Sequence, residues 1–552
     1  MKKYITAAIL LFSVSIFSQI VNEPLHRDIY NYLGRLSQKG VIDFDDLILP
    51  LSRKYIAEKL QELKLKDMQL TNLEKEELEF YSKDFYMELE EIGKDSNDKR
   101  LSYFSNDRGG KFRFFSYSDD IFKVNLNPIV GYEISFKEKD RVNHSWNGLN
   151  LYGYLGESFG FSFDFRSNNE NGSGADFKKI FTPVTGIISN NRKHNFNYAQ
   201  VKTMLAYNWS WGNLSAGKDF IEYGYGQSGK LVLSKKAPPF PFVRLSVNPV
   251  DWFTFNYFHA WLSSNVIDSV NLSEYRRNIY RNKYFAWHSV IVTPFTGLDI
   301  SLGESVVYSD QIEAIYLMPL MFFYLADDFI SNRVNKPGDA NSQIFASVSS
   351  KDHIKNTHIY GTLFIDELTI PGVSGVGTIF IEGNANENIT DSRNLRTQLS
   401  YTFGVSVTDI PLDNLTISSE YTKINPFVYG HHTPAQTYTS SSYIMGHWIG
   451  HNSDLLYLKL NYRFLRGLQT NLWWQYIRKG SPDYSGQYKK PQPEFLFGLK
   501  NYFTYYGIDL KYEFIHDLNF QFKYLLTQVK QENEDGSFNE FETNEISFTV
   551  YY

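Results

Sequence analysis

The stretch Phe159–Arg166, FGFSFDFR, carries an aromatic side chain at every second position, with glycine, serine or a charged residue between them. Successive side chains of an extended strand point to opposite faces of a sheet. This stretch therefore predicts a strand with one aromatic face and one polar face. The same alternation recurs in five further segments, at Val130–Lys137, Leu458–Phe464, Ile508–Phe514, Leu518–Tyr524 and Ile546–Tyr552.

The composition helps to separate two classes of protein that are built from such strands. Aromatic residues make up 17% of the 552 residues, yet the mean hydropathy is −0.36, so the aromatics are interleaved with polar residues. A secreted all-β protein would bury its apolar faces and use shorter strands. In an outer-membrane barrel the apolar faces contact lipid and the polar faces line the lumen. The predicted fold is an all-β transmembrane barrel of about 16–18 antiparallel strands, with a secreted all-β protein as the alternative.

The barrel hypothesis assigns a direction to each side chain, because a charge on the lipid face at mid-membrane costs about 2–4 kcal/mol. The side chains expected to face lipid are Phe161, Phe163, Tyr462, Phe464, Phe520 and Phe522. Those expected to face the lumen are Glu133, Lys137, Asp164, Arg166, Lys459, Arg463, Asp509, Lys511, Glu513 and Lys523. Opposite signs lie close together in this set, which predicts a mutually neutralising network. A polar surface for a hydrophilic ligand is the alternative.

The start of the chain has the features of an export signal. Lys2 and Lys3 precede an apolar run of about a dozen residues, and Ser18 stands at the expected cleavage position. We therefore predict a signal peptide over residues 1–18. The sequence contains no cysteine, so neither a lipoprotein anchor nor a disulfide is expected.

The segment of residues 19–106 is predicted to be a small helical module on the periplasmic side. Apolar residues at helical spacing indicate one helix over Ile29–Leu36 and a second helix that begins at Ser52. The pair at the ends of Thr71–Glu74 is a capping box, and it predicts a third, longer helix that continues to Ile92.

Residues 107–552 are predicted to form the barrel, because the period of the apolar residues changes to two near Asp107. The longest apolar stretch after the signal, Ile312 to Ala326, contains Glu313 and Pro319, which argues against a helix that spans the membrane. The net charge is −6, with both signs spread along the chain. Nothing in this pattern indicates nucleic acid as a partner.

Three short motifs resemble catalytic or cofactor sites, and each lacks its structural partner. Gly224–Lys230 has the G-x-x-x-x-G-K spacing of a phosphate-binding loop, but Leu231 follows where a hydroxyl residue is needed. Gly156–Gly160 spells G-x-S-x-G between two alternating segments, which favours a hairpin turn over a nucleophile elbow. His447 and His451 are four apart, but glycines beside them oppose a helix that could aim both at zinc. We expect no nucleotide, no metal and no cofactor. An enzyme with a site in the lumen or at the rim stays a minor alternative.

Several segments resemble the Wzi-like family of capsule assembly proteins, which includes the RemB relatives of gliding bacteria. The likeness is carried by YNYLGRLSQKGVID at Tyr30–Asp43, by GKDFIEYGYGQSGKLVLSKKAPPFPFVRLS at Gly217–Ser246, and by MGHWIGHNSDLLYLKLNYR at Met445–Arg463. The sequence departs from the family at Tyr223–Gly226, where Trp-Gly-Pro-Gly is expected, and at His451, where proline is expected. The resemblance implies a barrel of about eighteen strands with a periplasmic helical bundle. It also implies a non-enzymatic role in holding surface polysaccharide or, for the gliding relatives, in motility.

The predicted partners follow from this resemblance and from the loop composition, because sugars are bound by aromatic faces together with hydrogen-bonding side chains. We expect a cell outer-membrane protein that binds, attaches or helps assemble surface polysaccharide, in contact with outer-membrane lipid. A motility or secretion partner protein and a porin-like channel are the alternatives. The candidate ligand-binding residues are Asp219, Glu222, Tyr223 and Arg244, which shape the Gly-rich segment, and His431, His447 and Trp448 on accessible loops.

Overall fold

The computed structural model describes residues 21–93, 99–189, 194–269, 278–326, 340–367, 398–487 and 491–552. The predicted signal peptide lies outside the described residues.

Eighteen antiparallel strands form one closed barrel, which confirms the predicted fold at the upper end of the expected strand number. In chain order they are β1 Phe122–Lys137, β2 Asp140–Leu155, β3 Phe159–Asn171, β4 Asn195–Trp209, β5 Gly212–Asp219, β6 Phe240–Val250, β7 Phe253–Ile267, β8 Tyr280–Phe295, β9 Leu298–Ser309, β10 Asn341–Lys351, β11 Thr357–Glu367, β12 Gln398–Thr408, β13 Leu415–Ile424, β14 Ser453–Leu465, β15 Leu468–Lys479, β16 Asn501–Ile515, β17 Leu518–Glu532 and β18 Phe538–Tyr551. Each strand pairs with its neighbours in the chain, and β18 closes the ring by pairing with β1, from Gly131 opposite Tyr551 to Lys137 opposite Glu545.

The wall has the predicted polarity. On β14, Phe464 is 54% exposed on the outer face, whereas the adjacent Arg463 is 4% exposed and points inward. Asp164 and Arg166 of β3 likewise line an internal cavity. No helix among the described residues is long and apolar enough to cross a bilayer.

The two ends of the barrel differ in the length of their connections. One end, the short-turn end, has tight connections such as Arg466–Gly467 between β14 and β15 and His516–Asp517 between β16 and β17. The other end, the long-loop end, carries the segments that join β3 to β4, β5 to β6, β9 to β10 and β13 to β14. The helices contact the short-turn end, where Arg463 meets Glu77 at 2.5 Å and Lys511 meets Asp28 at 2.6 Å.

The described part of the helical module contains four α-helices, α1 Ile29–Gln38, α2 Arg53–Leu65, α3 Asn72–Asp84 and α4 Tyr86–Gly93. The predicted capping box of Thr71 and Glu74 is present at the start of α3. The prediction of one long helix to Ile92 is wrong, because the helix is interrupted at Phe85, between α3 and α4. Arg53 explains the break: its guanidinium donates to the backbone carbonyl of Asp84 at 2.7 Å and to the carboxylate of Glu88 at 2.7 Å.

In the sequence, a β-hairpin of Arg100–Asn106 and Phe112–Ser118 lies between the last helix and the first barrel strand. Its second strand pairs with the first part of β1, from Lys123 to Leu126. The change of period that was expected at Asp107 therefore falls inside the hairpin turn, and the closed ring begins only at Phe122.

The contact between the helical module and the barrel includes a carboxyl group that makes stability depend on pH. Asp45, in the loop between α1 and α2, is close to Asp299 of β9, to Asp46 and to the Lys351 ammonium; burial and the Asp299 charge raise the pKa of Asp45 from 3.8 to about 7. A raised pKa means that the folded protein binds this proton more tightly than the unfolded chain. The contribution of the protonated Asp45 carboxyl to the stability of the folded protein is therefore complete below about pH 4, and it is lost as the pH rises to 7.

Between pH 4 and 7, we expect the free energy of unfolding of the wild type to fall by on the order of 2–4 kcal/mol more than that of the Asp45→Asn variant. The measurement is urea unfolding in micelles at a series of pH values. A difference between the two proteins that does not change with pH would contradict the assignment.

Candidate functional site: a cation-lined cavity in the lumen

The lumen is filled by segments that fold inward from the long-loop end. The connection between β5 and β6 contributes Tyr223, whose hydroxyl donates to Ser301 of β9 at 2.9 Å. Its ring packs edge-on against Phe345 of β10, at 4.9 Å between centroids, and against Trp287 of β8. The same connection pairs with the helical module through a two-stranded sheet, with Ile48 opposite Tyr223. Loop, wall and module thus share one packed interior.

The Gly-rich segment uses its amides to hold a carboxylate of the protein itself. Glu420, on the inward face of β13, accepts hydrogen bonds from the backbone N–H of Gln227 at 2.7 Å and of Ser228 at 3.0 Å. The hydroxyl of Ser228 also donates to it, and the Tyr360 hydroxyl donates at 2.6 Å. The loop that resembles a phosphate cradle is therefore occupied by Glu420.

The other apparent catalytic motifs have structural roles. Lys230 donates its ammonium to the Gly224 carbonyl at 2.6 Å. Ser158 lies in the tight turn between β2 and β3, as predicted, where its carbonyl accepts from the Asn208 N–H. In the described part of the chain no group of three His, Cys, Asp or Glu side chains could hold a metal ion.

An internal cavity of about 540 Å³ lies between the helical module and the Gly-rich segment. Its floor is formed by α1, its side wall by β14 and β15, and its roof by the connections that carry Tyr225 and Trp448. Polar side chains of the wall, including Asn461 and Asn471, face into it. The cavity is large enough for a small-molecule ligand, since such sites are about 300–1,000 Å³.

The lining of this cavity has an excess of positive charge. Its cations are Arg35, Lys230, Lys235, Lys236, Lys351, Lys459, Arg463 and Lys511, and its anions are Asp28, Asp46 and Glu222. Several cations are neutralised by ion pairs, for example Lys351 with Asp46 at 2.7 Å and Arg35 with Glu74 at 2.5 Å. These pairs agree with the predicted internal network, but they do not use all of the cations.

The side-chain ammonium groups of Lys235 and Lys459 have no ion-pair partner and no hydrogen-bond partner within the described ranges. Lys459 extends from β14 into the cavity, and Lys235 is exposed in the Gly-rich connection. Lys230 and Lys236 differ from them, because their ammonium groups are bound by backbone carbonyls, that of Val184 at 2.9 Å in the case of Lys236. Two ammonium groups are thus available to an anionic ligand.

Two of the predicted ligand-binding residues lie together in this cavity. Glu222 lines it and accepts from the Lys235 N–H at 3.3 Å. Trp448 lines it as well, and its indole N–H donates to the Ser228 carbonyl at 2.8 Å. Asp219 instead lines a separate internal cavity of about 110 Å³, near Lys202.

The remaining predicted residues lie outside the larger cavity. Tyr223 is enclosed by the aromatic core, and Arg244 donates to Asn256 on the inner wall at 2.9 Å. His431 is half-buried in the connection between β13 and β14. His447 was expected on an accessible loop, but its exposed fraction is 0% because the ring packs against Gly229. Burial lowers the pKa of His447 to about 3, so this side chain is neutral.

Sequence reasoning missed Glu420 and the contribution of α1. Glu420 stands in an ordinary alternating strand, LTISSEYTKI, and only its inward position marks it. Arg35 and Asp28 were assigned to a separate module, and nothing in their local sequence indicates that they border the lumen. Lys459, in contrast, was identified from strand alternation as a lumen residue.

No family model and no curated protein matches this sequence. Solved structures do resemble it. Wzi of Escherichia coli, an outer-membrane protein involved in group 1 capsule assembly and a carbohydrate-binding β-barrel, aligns with a TM-score of 0.55 and 12% identity over 96% of this chain and 98% of Wzi. OccK5 (OpdH) of Pseudomonas aeruginosa aligns with a TM-score of 0.41 and 12% identity over 78% of this chain and 97% of OccK5. OccAB2 of Acinetobacter baumannii aligns with a TM-score of 0.41 and 12% identity over 78% of this chain and 98% of OccAB2. The chain is thus a barrel of the outer-membrane type, and its closed ring with an apolar outer wall belongs in an outer membrane.

Proposed function

We propose that this chain is a non-enzymatic member of the Wzi-like family that binds surface polysaccharide through an anionic sugar unit. The observation that carries the proposal is the cation-lined cavity inside a lumen into which the described loops fold. The likeness to Wzi over nearly the whole of both chains supports it, and the carbohydrate binding of Wzi suggests the ligand class.

A binding role fits the interior better than transport does. A porin needs an aqueous path, whereas here the connections after β5 and β13 pack against wall residues such as Trp287 and Phe345. A catalytic role has less support, because Lys230, Ser158 and His447 are each held in structural contacts.

The charges favour an acidic sugar over a neutral one. The ammonium groups of Lys235 and Lys459 suit a carboxylate or phosphate, and each charge-assisted hydrogen bond contributes about 1.5–3 kcal/mol. Wall amides such as Asn461 and Asn471 suit sugar hydroxyls, and Trp448 and Tyr225 supply aromatic surface.

In this proposal residues 1–18 are a signal peptide, the helical module faces the periplasm and the barrel follows in the outer membrane. Short turns face the periplasm and long loops face outward in bacterial barrels. The helices contact the short-turn end, which supports this orientation.

Titration of the purified barrel with acidic and neutral oligosaccharides, followed by tryptophan fluorescence, tests the ligand class. We expect uronic-acid oligosaccharides to bind, and Lys235→Gln/Lys459→Gln to weaken binding at least about tenfold, which corresponds to 1.4 kcal/mol. Ser158→Ala is the control and should leave binding unchanged. Equal affinity of the wild type and the double variant would contradict the assigned site.

A deletion strain tests the role in the cell. We expect loss of the protein to shift polysaccharide from the cell surface to the medium, and the wild-type chain to restore retention. A chain that lacks residues 430–454, which comprise most of the connection between β13 and β14 and the first two residues of β14, should fail to restore retention. Impaired spreading with normal retention would instead favour a motility function.

A further inference from the structure

The longest apolar stretch of the mature sequence lies on the outer face of the barrel wall. Residues 311–326 leave β9 at the long-loop end and pack on the outer side of β7, β8 and β9. The Tyr257 hydroxyl donates to the Tyr316 carbonyl at 2.9 Å, and the Phe323 N–H donates to Glu304 at 2.9 Å. We call residues 311–326 the outer segment.

The wall beneath the outer segment is mostly aromatic and apolar, with residues such as Phe255 and Tyr284 in contact with the segment, but it also includes three polar side chains. His259, His288 and Glu304 point outward, on the opposite face from the lumen residues Phe258, Trp287 and Ser305 of the same strands. Even so, His259 is only 2% exposed. Its Nε2 lies 2.7 Å from the Tyr308 hydroxyl, and Phe323 packs 4.5 Å from the His288 ring.

These polar groups lie at the depth of the lipid-facing band. His288 is as far from the end of its strand at the short turn as Leu458 and Ile508 are from theirs. Leu458 and Ile508 are exposed on the outer wall. An outer wall that left His259, His288 and Glu304 uncovered would place polar groups against hydrocarbon, which is costly.

The opposite side of the outer segment is apolar. Residues 314–326 include no charged side chain. Leu320 is 81% exposed, Leu325 is 62% exposed and Phe322 is 61% exposed. Ile300 and Leu302 of β9, on the outer face of the same wall, are exposed apolar side chains as well.

We infer that the outer segment is embedded in the hydrocarbon of the bilayer, with lipid acyl chains as the partner of Leu320, Phe322 and Leu325. It takes the place of the lipid-facing wall of β7–β9 and shields the polar side chains His259, His288 and Glu304 from the hydrocarbon. Two observations carry this assignment: the outward side of the segment is apolar and exposed, and its covered side packs on the outer wall and donates a hydrogen bond to Glu304.

The absence of native cysteine permits a direct test. Leu320→Cys and Phe322→Cys are labelled with the fluorophore NBD, and the full chain is placed in phosphatidylcholine vesicles with brominated acyl chains. Both side chains are mostly exposed, so labelling should not disturb the packed side. We expect strong quenching, comparable to that of Leu458→Cys on the wall, and little quenching of Glu534→Cys in the turn between β17 and β18.

Labels at 320 and 322 that behave like the label at 534, and that are reached by iodide from the water, would overturn the assignment. Protease resistance of each labelled barrel verifies folding. As a second measure, Leu320→Asp/Phe322→Asp should lower the fraction inserted into vesicles several-fold while folding in detergent is retained. Unchanged insertion of this variant would also count against the inference.

Discussion

Replacing Glu420 by alanine is expected to release the Gly-rich segment from the barrel interior. The backbone N–H groups of Gln227 and Ser228 and the hydroxyls of Ser228 and Tyr360 would lose their common acceptor inside the protein. Hydrogen bonds to a charged group contribute about 1.5–3 kcal/mol each, and buried donors left unsatisfied add a further cost. We expect the free energy of unfolding to fall by at least about 3 kcal/mol.

Limited trypsin digestion in micelles provides the local measurement, because Lys230, Lys235 and Lys236 lie in the released segment. The variant should be cleaved there while the strands stay resistant. Ser418→Ala is the matched control on the same strand: Ser418 accepts one bond from the Gln227 side chain at 3.3 Å, so a loss of about 1 kcal/mol or less is expected. A Glu420→Ala protein with wild-type resistance to trypsin would show that the carboxylate does not anchor the loop.

Replacing Arg463 by alanine is expected to weaken the attachment of the helical module to the barrel. Arg463 of β14 and Glu77 of α3 are both almost fully buried and lie 2.5 Å apart. Removing the arginine leaves a buried carboxylate without its partner, a change that costs about 3–5 kcal/mol. Protease digestion should then release the helices from a barrel that remains intact.

A double-mutant cycle isolates this pair from general damage. Arg463→Ala/Glu77→Ala removes both charges and should recover part of the lost stability, since no charge is left buried. Lys530→Ala is the control for an exposed pair, with Glu540, and its effect should stay below about 1 kcal/mol. Equal instability of the single and double variants would mean that packing, and not the charge pair, holds the module.

The barrel and its polarity could be predicted because strand alternation is a local property. Strands whose outward side chains face lipid repeat the alternation seen in Phe159–Arg166, because those positions share one apolar environment; the outward polar residues of β7–β9 depart from it where the outer segment covers them. Helix starts were predictable for the same reason: Ser52 and Thr71 cap helices through bonds to N–H groups three residues ahead.

The interior could not be predicted because its partners are distant in sequence. Glu420 lies 193 residues from Gln227, and no local pattern distinguishes its cradle from a phosphate loop. The break after Asp84 depends on Arg53, from another helix. The loop that carries His447 folds into the lumen and buries this side chain against Gly229, although its glycine-flanked sequence indicated an exposed loop.

The seam of the barrel has a consequence for the order in which the chain closes. Glu138 accepts from the N–H of Asn544, 406 positions away, whereas every other pair of strands in the ring is consecutive along the chain. Closing so long a loop has the largest entropic cost, so the seam is the last pairing to form. Before the seam forms, the hairpin at Arg100–Ser118 pairs with residues Lys123 to Leu126 of β1. The part of this edge that pairs with β18 is Gly131 to Lys137. A slip of one residue there would turn the apolar face of β18 into the lumen, and the hairpin blocks such slips by limiting the free edge. The register of the final strand is thus set by a segment from the opposite end of the chain.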